Sequence, residues 1–418
     1  LESSVTRHSA TQQSAILELL SERDFAFLWL GQLLSQVGDQ CLLIAAITLI
    51  TSFSASPLAI LIPALSMVLP QVFFGLLGGV VADRWNRKAV MIISDILRAI
   101  LVLAVLLVRT PGQLWILYLA AAGLAVIGSF FYPARNATIP NLVPNGLLLA
   151  ANGLIQGSYV IALIVGPVLA GVLVELGGME SAIALDSATF LASAVMVSLI
   201  RLPVKENEGA VSTRNDMWED MKEGLAFIRH SRPLRRALYV TAVATLGIGS
   251  VVLLAITHLE TQFDAGGLKY AGTMSMLGIG SVIGGLIVTR LSRSASTSQI
   301  IGGMLITAGL AIVVFAFAPY YAVVLGSVMV LGMCIVIARG ALDTTTQALA
   351  PDQIRGRVQA AVNLIVAGGT VLAEGFSAVL GHFLGVQLVF AAAGLVTVIA
   401  GIVSIYALKE TVALSQQA

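Results

Sequence analysis

The stretch GGVVADRWNRK, residues 78–88, decides how this chain is read. It ends a long apolar run, and its glycines lead into Asp83, Arg84, Arg87 and Lys88. Later stands GGLIVTRLSR, residues 284–293, again at the end of an apolar run. Gly78 and Gly79 fall on Gly284 and Gly285, Arg84 on Arg290, and Arg87 on Arg293. Asp83 falls on Thr289, so the acid belongs to the first copy alone. Two further echoes fit the same repeat. ARNATIPNLVP, from Ala134, matches ARGALDTTTQALAP, from Ala338, and AANGLI, from Ala150, matches AAVNLI, from Ala360. A chain that repeats over half its length is built of two similar halves.

Composition says what solvent surrounds those halves. The 418 residues are 58% hydrophobic and only 11% charged, with a net charge of +1 and a mean hydropathy of +0.95. Soluble domains carry about 25% charged residues, so lipid must replace water over much of this surface. The near-zero net charge implies no electrostatic attraction to nucleic acid. Cys41 and Cys334 stand in apolar runs and read as core residues. Forty glycines suit closely packed membrane helices.

A helix needs about 20 apolar residues to cross the hydrocarbon. Twelve such runs are expected, near 25–50, 57–82, 89–108, 114–133, 147–174, 181–200, 234–257, 268–291, 300–318, 321–341, 358–380 and 386–408. The fold class is therefore an all-α membrane protein of twelve transmembrane helices in two pseudo-symmetric six-helix bundles. The expected organisation is an N-terminal segment 1–24, a bundle 25–200, a linker 201–233, a bundle 234–408 and a tail 409–418. No cleavable signal peptide is expected in the polar opening segment. Lys and Arg crowd the connections after spans 2, 4, 6, 8 and 10, whereas the other side holds essentially Arg109 and Lys269. The positive-inside rule then places both termini and the linker in the cytoplasm of a multi-pass inner-membrane protein. In the linker, Met217, Met221, Leu225 and Ile228 stand at helical spacing, which predicts an amphipathic surface helix.

Several chemistries have no residues to perform them. No G-x-x-x-x-G-K-[ST] stretch is present to cradle nucleotide phosphates. His8, His230, His258 and His382 are scattered without metal-ligand spacing, and no catalytic constellation stands out. No enzyme activity, cofactor or metal is expected. GIGSVIGG, residues 278–285, lies inside a span and reads as a helix-packing surface rather than a dinucleotide loop. Work by such a protein would draw on an ion or substrate gradient.

These residues resemble the major facilitator superfamily across essentially the whole chain. GGVVADRWNRK is similar to its signature between spans 2 and 3, and GPVLAG, residues 166–171, to the span-5 motif of its antiporters, with Ala170 in place of a glycine. FLWLGQLLSQVGDQ, FFYPARNATIPNLVP, ALDSATFLASAVMVSLIRLP and MKEGLAFIRHSRPLR resemble the macrolide-efflux and enterobactin-exporter branch. The resemblance implies a secondary transporter that exports an amphipathic small molecule, drug-, macrolide- or siderophore-like, by proton antiport with alternating access. A lysophospholipid transporter of the same fold is the first alternative, and a non-transporting sensor or scaffold the second. The implied partners are the small molecule, protons and membrane lipid, with no nucleic acid, and the protein is expected to be monomeric.

Ionisable residues inside spans are costly, so each is a candidate. Asp39, about 22 Å into span 1, reads as a proton carrier or a contact for a cationic substrate. Glu374, deep in span 11, is the second such candidate. Arg98 could partner an acid, or form a local i,i+3 pair with Asp95, the favoured reading. Asp186, Arg135, Arg339 and Asp343 read as gate or anchoring residues near the interfaces. Gln32, Gln36, Asn152, Gln156 and Asn363 are polar at depths where a cavity would use them. The resemblance makes Gly79, Asp83, Arg84, Arg87 and Lys88, with Arg355 and Arg357, a conformational latch in which Asp83 docks on the start of span 11. Gly166, Pro167 and Gly171 would let span 5 bend and pack closely.

Overall fold

The computed structural model describes residues 17–53, 62–63, 66, 70, 74, 85–201, 222–223, 225–263, 267–294, 296–351 and 354–407. Its long helices are, in chain order, α1 Arg23–Phe53, α2 Arg87–Ala104, α3 Leu114–Thr138, α4 Leu148–Leu199, α5 Arg232–Phe263, α6 Gly267–Ser294, α7 Thr297–Ala316, α8 Tyr321–Leu349, α9 Arg355–Leu384 and α10 Val386–Ala407. No strand occurs among the described residues.

Local sequence sets the ends of these helices. The Asn86 side chain accepts from the N–H of Ala89 at 3.1 Å and starts α2. Ser296 and Gln299 form a reciprocal capping box at the start of α7. The 52 residues of α4 would run about 78 Å if straight, more than twice a bilayer core. The helix is broken at Gly178, whose φ of 75° suits a residue without a Cβ, and so crosses twice. Gly385, at φ 83°, separates α9 from α10 in the same way. Among the described residues nine helices, and a bent tenth at Leu234–Phe263, are long and apolar enough to span. Counting α4 twice accounts for eleven of the expected crossings. The remaining one, 57–82, falls almost wholly outside the described residues.

The helices divide into two compact units, one within Leu1–Leu49 and Leu65–Arg214, the other within Ile50–Ala64 and Asn215–Ala418. In the first, α2 packs on α3 and α4. Its Phe25, Leu28, Met91, Phe131 and Val197 share a core. In the second, α7 packs on α8 and α10, α8 on α6, and α5 on α9 and α10. Gly280 and Gly284 of GIGSVIGG serve this packing. A Cβ on Gly284 would stand 2.6 Å from the Met333 carbonyl oxygen, so only glycine lets α6 lie this close to α8.

Charged ends are tied down within each unit. Arg87 donates to the carbonyl of Ala137 and Lys88 to that of Ile200, both at 2.8 Å. These carbonyls end α3 and α4, where a cation is favourable. At the opposite end, Arg109 pairs with Glu180 at 2.8 Å. In the second unit Ile228 packs into a core with Leu234, Leu342 and Val358, and Glu223 ion-pairs with Arg357. Glu223 and Ile228 thereby tie the end of the linker to α9. Met217, Met221 and most of the linker lie outside the described residues, as do Gly79, Asp83 and Arg84. Arg355 begins α9.

Candidate functional site

The first unit buries acids around one arginine. Asp95 is 0% and Arg98 4% exposed. Their pairing, Nη1 to Oδ1 at 3.7 Å, is the i,i+3 contact expected from the spacing. Asp95 Oδ2 also accepts from the Ser193 hydroxyl at 2.7 Å. The guanidinium lies 4.4 Å from the centre of the Phe131 ring and 5.5 Å from those of Tyr132 and Phe190. Aromatic faces attract a cation that has lost its water. They explain how Arg98 sits among apolar helices with one nitrogen, Nη2, left without an acceptor.

Asp186, read from sequence as a gate or anchoring residue, is 0% exposed. It stands about 12 Å along its helix from the Gly178 break. Glycine puts it there. A Cβ on Gly38 would strike Asp186 Oδ1 and Thr189 Oγ1, and would lie 3.1 Å from Asp186 Cα. One heptad earlier, a Cβ on Gly31 would lie 3.3 Å from Ser193 Oγ. The two glycines form a seam along which α1 and the second half of α4 run antiparallel. The expected span-5 motif meets the same stretch of α1. A Cβ on Gly166 would stand 2.5 Å from Gln40 Cβ and 3.1 Å from the Val37 oxygen, and the Cys41 thiol reaches the Gly166 carbonyl at 3.6 Å. Residues 37–41 are thus clamped between both arms of α4.

Asp39 lies within that clamp and is half-buried. Arg98 and Asp186 act on it electrostatically, and it acts on Asp95, Tyr132 and Tyr159. Two sequence candidates, Asp39 and Arg98, therefore share one site with Asp95 and Asp186. The signal for Asp186 was present in sequence only as an acid within an apolar run. Its burial depends on Gly38, 148 positions away in the chain.

The other candidates divide. Arg135, in the last turn of α3, is buried: its Nη1 donates to Gln32 Oε1 at 3.0 Å and its Nη2 to Asn136 Oδ1 at 2.9 Å. Gln32 therefore holds Arg135 rather than facing open space. Gln36 Oε1 is buried without a partner. Asn152 and Gln156 are exposed on one face of α4 with Tyr159. In the second unit Arg339 pairs with Asp343 at 3.1 Å and donates to Asn363. Gln359 donates to Asp343 at 2.9 Å, which links α8 to α9. Glu374 is half-buried, with no hydrogen bond or ion pair among the described residues. Pro167 and Gly171 lie inside α4.

Comparison with known proteins gives the same picture. The model of the Major Facilitator Superfamily matches residues 28–374. Macrolide efflux protein A of Streptococcus pyogenes is 25% identical over 305 residues, 71% of this chain and 73% of that protein. The multidrug efflux pump Tap of Mycolicibacterium fortuitum is 25% identical over 382 residues, 88% of this chain and 92% of that protein. A bacterial homologue of the iron transporter ferroportin, solved in an inward-facing state, shares the fold at a TM-score of 0.74 and 16% identity, covering 93% of this chain and 99% of that one. Apolar helices in two units, a repeated glycine-basic turn and a family match over most of the length converge on one conclusion: the chain is a multi-pass membrane transporter, not an enzyme, and belongs to the major facilitator superfamily.

Proposed function

We propose that this transporter exports an amphipathic small molecule by proton antiport through alternating access. The observation that supports this most is the cluster of three acids around one arginine in the first unit. Buried charge of that kind is expensive and serves ion or substrate movement. Arg98 balances Asp95, which leaves Asp39 and Asp186 for protons or a cationic guest. Glu374 is the candidate for the same work in the second unit. The export direction and a drug-like substrate draw on the relatives named as efflux proteins. Asp83 is proposed as the latch residue, and both termini are proposed to be cytoplasmic.

The test is expression in a drug-sensitive host deleted for its own pumps. Resistance to macrolides or lipophilic cations should rise, and should vanish with Asp39→Asn or with a protonophore. Resistance that persists with the proton gradient collapsed would overturn the antiport reading. Unchanged resistance together with uptake of labelled lysophospholipid would move the substrate class to lipid.

A further inference from the structure

Arg135 is a buried cation without a counter-ion. It is 9% exposed, and no carboxylate pairs with it among the described residues. Arg98, also buried, has Asp95. Arg135 has neutral partners alone. Its Nη1 donates to Gln32 Oε1, and its Nε and Nη2 donate to Asn136 Oδ1 at 3.2 and 2.9 Å. Its guanidinium lies 5.2 Å from the centre of the Tyr132 ring. Asp39 acts electrostatically on Tyr132 but makes no ion pair with Arg135. The C-terminal end of α3 offers about half a negative charge, and Arg87 already donates to its Ala137 carbonyl at 2.8 Å. A largely uncompensated positive charge therefore stays buried, at a cost.

The same contacts leave donors free. A guanidinium can only donate, so Asn136 gives it the carboxamide oxygen and keeps its N–H groups for another partner. Asn136 is exposed. Tyr132 stands one turn earlier on the same face and is 41% exposed. Its hydroxyl makes no hydrogen bond among the described residues. Three of the five guanidinium N–H groups are used and two remain. An exposed carboxamide on a membrane helix faces water rather than hydrocarbon. This face of α3 thus sets N–H and O–H donors in front of an unneutralised cation.

We propose that Arg135, Tyr132 and Asn136 bind an anionic group, a carboxylate or a phosphate, on the molecule this transporter moves. Such a group supplies the missing counter-ion and accepts charge-assisted hydrogen bonds, roughly twice as strong as neutral ones. The site stands in the last turn of α3. In the proposed orientation that is the cytoplasmic mouth, where an exporter receives its load. This use rests on the export reading, whereas the affinity for an anion does not. A phospholipid headgroup carries the same chemistry, so the experiment separates the two sources.

The full chain in phosphatidylcholine nanodiscs is titrated with pyrenebutyrate and, as an uncharged control, with its methyl ester, read by pyrene fluorescence against empty nanodiscs. Wild type should bind the carboxylate saturably and about tenfold more tightly than the ester, as hydrogen bonds to a charged group predict. Arg135→Gln and Tyr132→Phe should each weaken the carboxylate about tenfold and leave the ester within about twofold. Arg135→Lys, which keeps the charge, should recover part of the loss. Pyrenebutyrate should raise the melting temperature of wild type but not of Arg135→Gln. Tyr132→Phe keeps the ring and carries the test if Arg135→Gln does not fold. Equal binding of acid and ester, or carboxylate affinity unchanged in both variants, would overturn the site. Nanodiscs containing phosphatidylglycerol decide the source. Carboxylate binding lost there only in proteins that keep Arg135 would overturn the assignment to a transported molecule and give the site to a headgroup; unchanged binding supports the assignment. Ethidium export driven by an imposed pH gradient in liposomes tests antiport separately. Arg135-dependent anion binding without coupled export keeps the site and refutes antiport. Coupled export without Arg135-dependent binding does the reverse.

Discussion

The glycine seam between α1 and the second half of α4 predicts a graded response to one substitution made at three places. In a helix, alanine in place of glycine gains about 1 kcal/mol of propensity. At Gly153 an added Cβ meets nothing within 4 Å, so Gly153→Ala should keep that gain. At Gly31 the nearest atoms are Ser193 Oγ at 3.3 Å and Ser193 Cα at 3.4 Å. A slight shift absorbs the contact, and Gly31→Ala should be near neutral. At Gly38 the Cβ strikes two side-chain oxygens and approaches the Asp186 backbone at 3.1 Å. Helices must separate there, and overpacking costs about 1–3 kcal/mol. Taking the upper end and subtracting the propensity gain leaves a net loss of about 2 kcal/mol for Gly38→Ala. Melting of the purified protein in one detergent, read by intrinsic fluorescence, should rank Gly153→Ala above wild type, Gly31→Ala close to it and Gly38→Ala several degrees below. A Gly38→Ala protein that melts with Gly153→Ala would refute the seam, and with it the placement of Asp186.

Three further outcomes follow from the same contacts. Arg98→Met removes the only ion-pair partner that Asp95 has among the described residues and should destabilise by about 3–5 kcal/mol in a melt; adding Asp95→Asn should recover part of the loss. Arg109→Ala breaks a pair whose side chains are 65% and 52% exposed, and should change the melt by less than about 1 kcal/mol. Lys88→Ala leaves the Ile200 carbonyl at the end of α4 without its cation; a loss of about 0.3–1 kcal/mol is expected, most visible at low salt.

How much of the site could be read in advance depended on the range of the interaction. Arg98 and Asp95 are three residues apart on one helix, and helical geometry alone brings them together. For Arg135 and Asp186 the sequence showed a charged residue near the end of an apolar run, but not what buries it. Their partners, Gln32 and the bare backbone at Gly38, lie on a different helix, and no spacing rule connects them. The polar residues at cavity depth show the same limit. Gln32 turned out to be bonded to Arg135 and Asn363 to Arg339, while Asn152 and Gln156 remain exposed.

The amino-acid sequence by itself determined the solvent, the crossings and the kinship of the halves. Hydropathy and the repeat of GGVVADRWNRK in GGLIVTRLSR are written residue by residue, and lipid enforces them on any fold. The tertiary structure decided which ionisable groups lack compensation. That property belongs to the space between helices, where the missing Cβ of Gly38 admits Asp186 against α1 and Arg98 is already taken by Asp95.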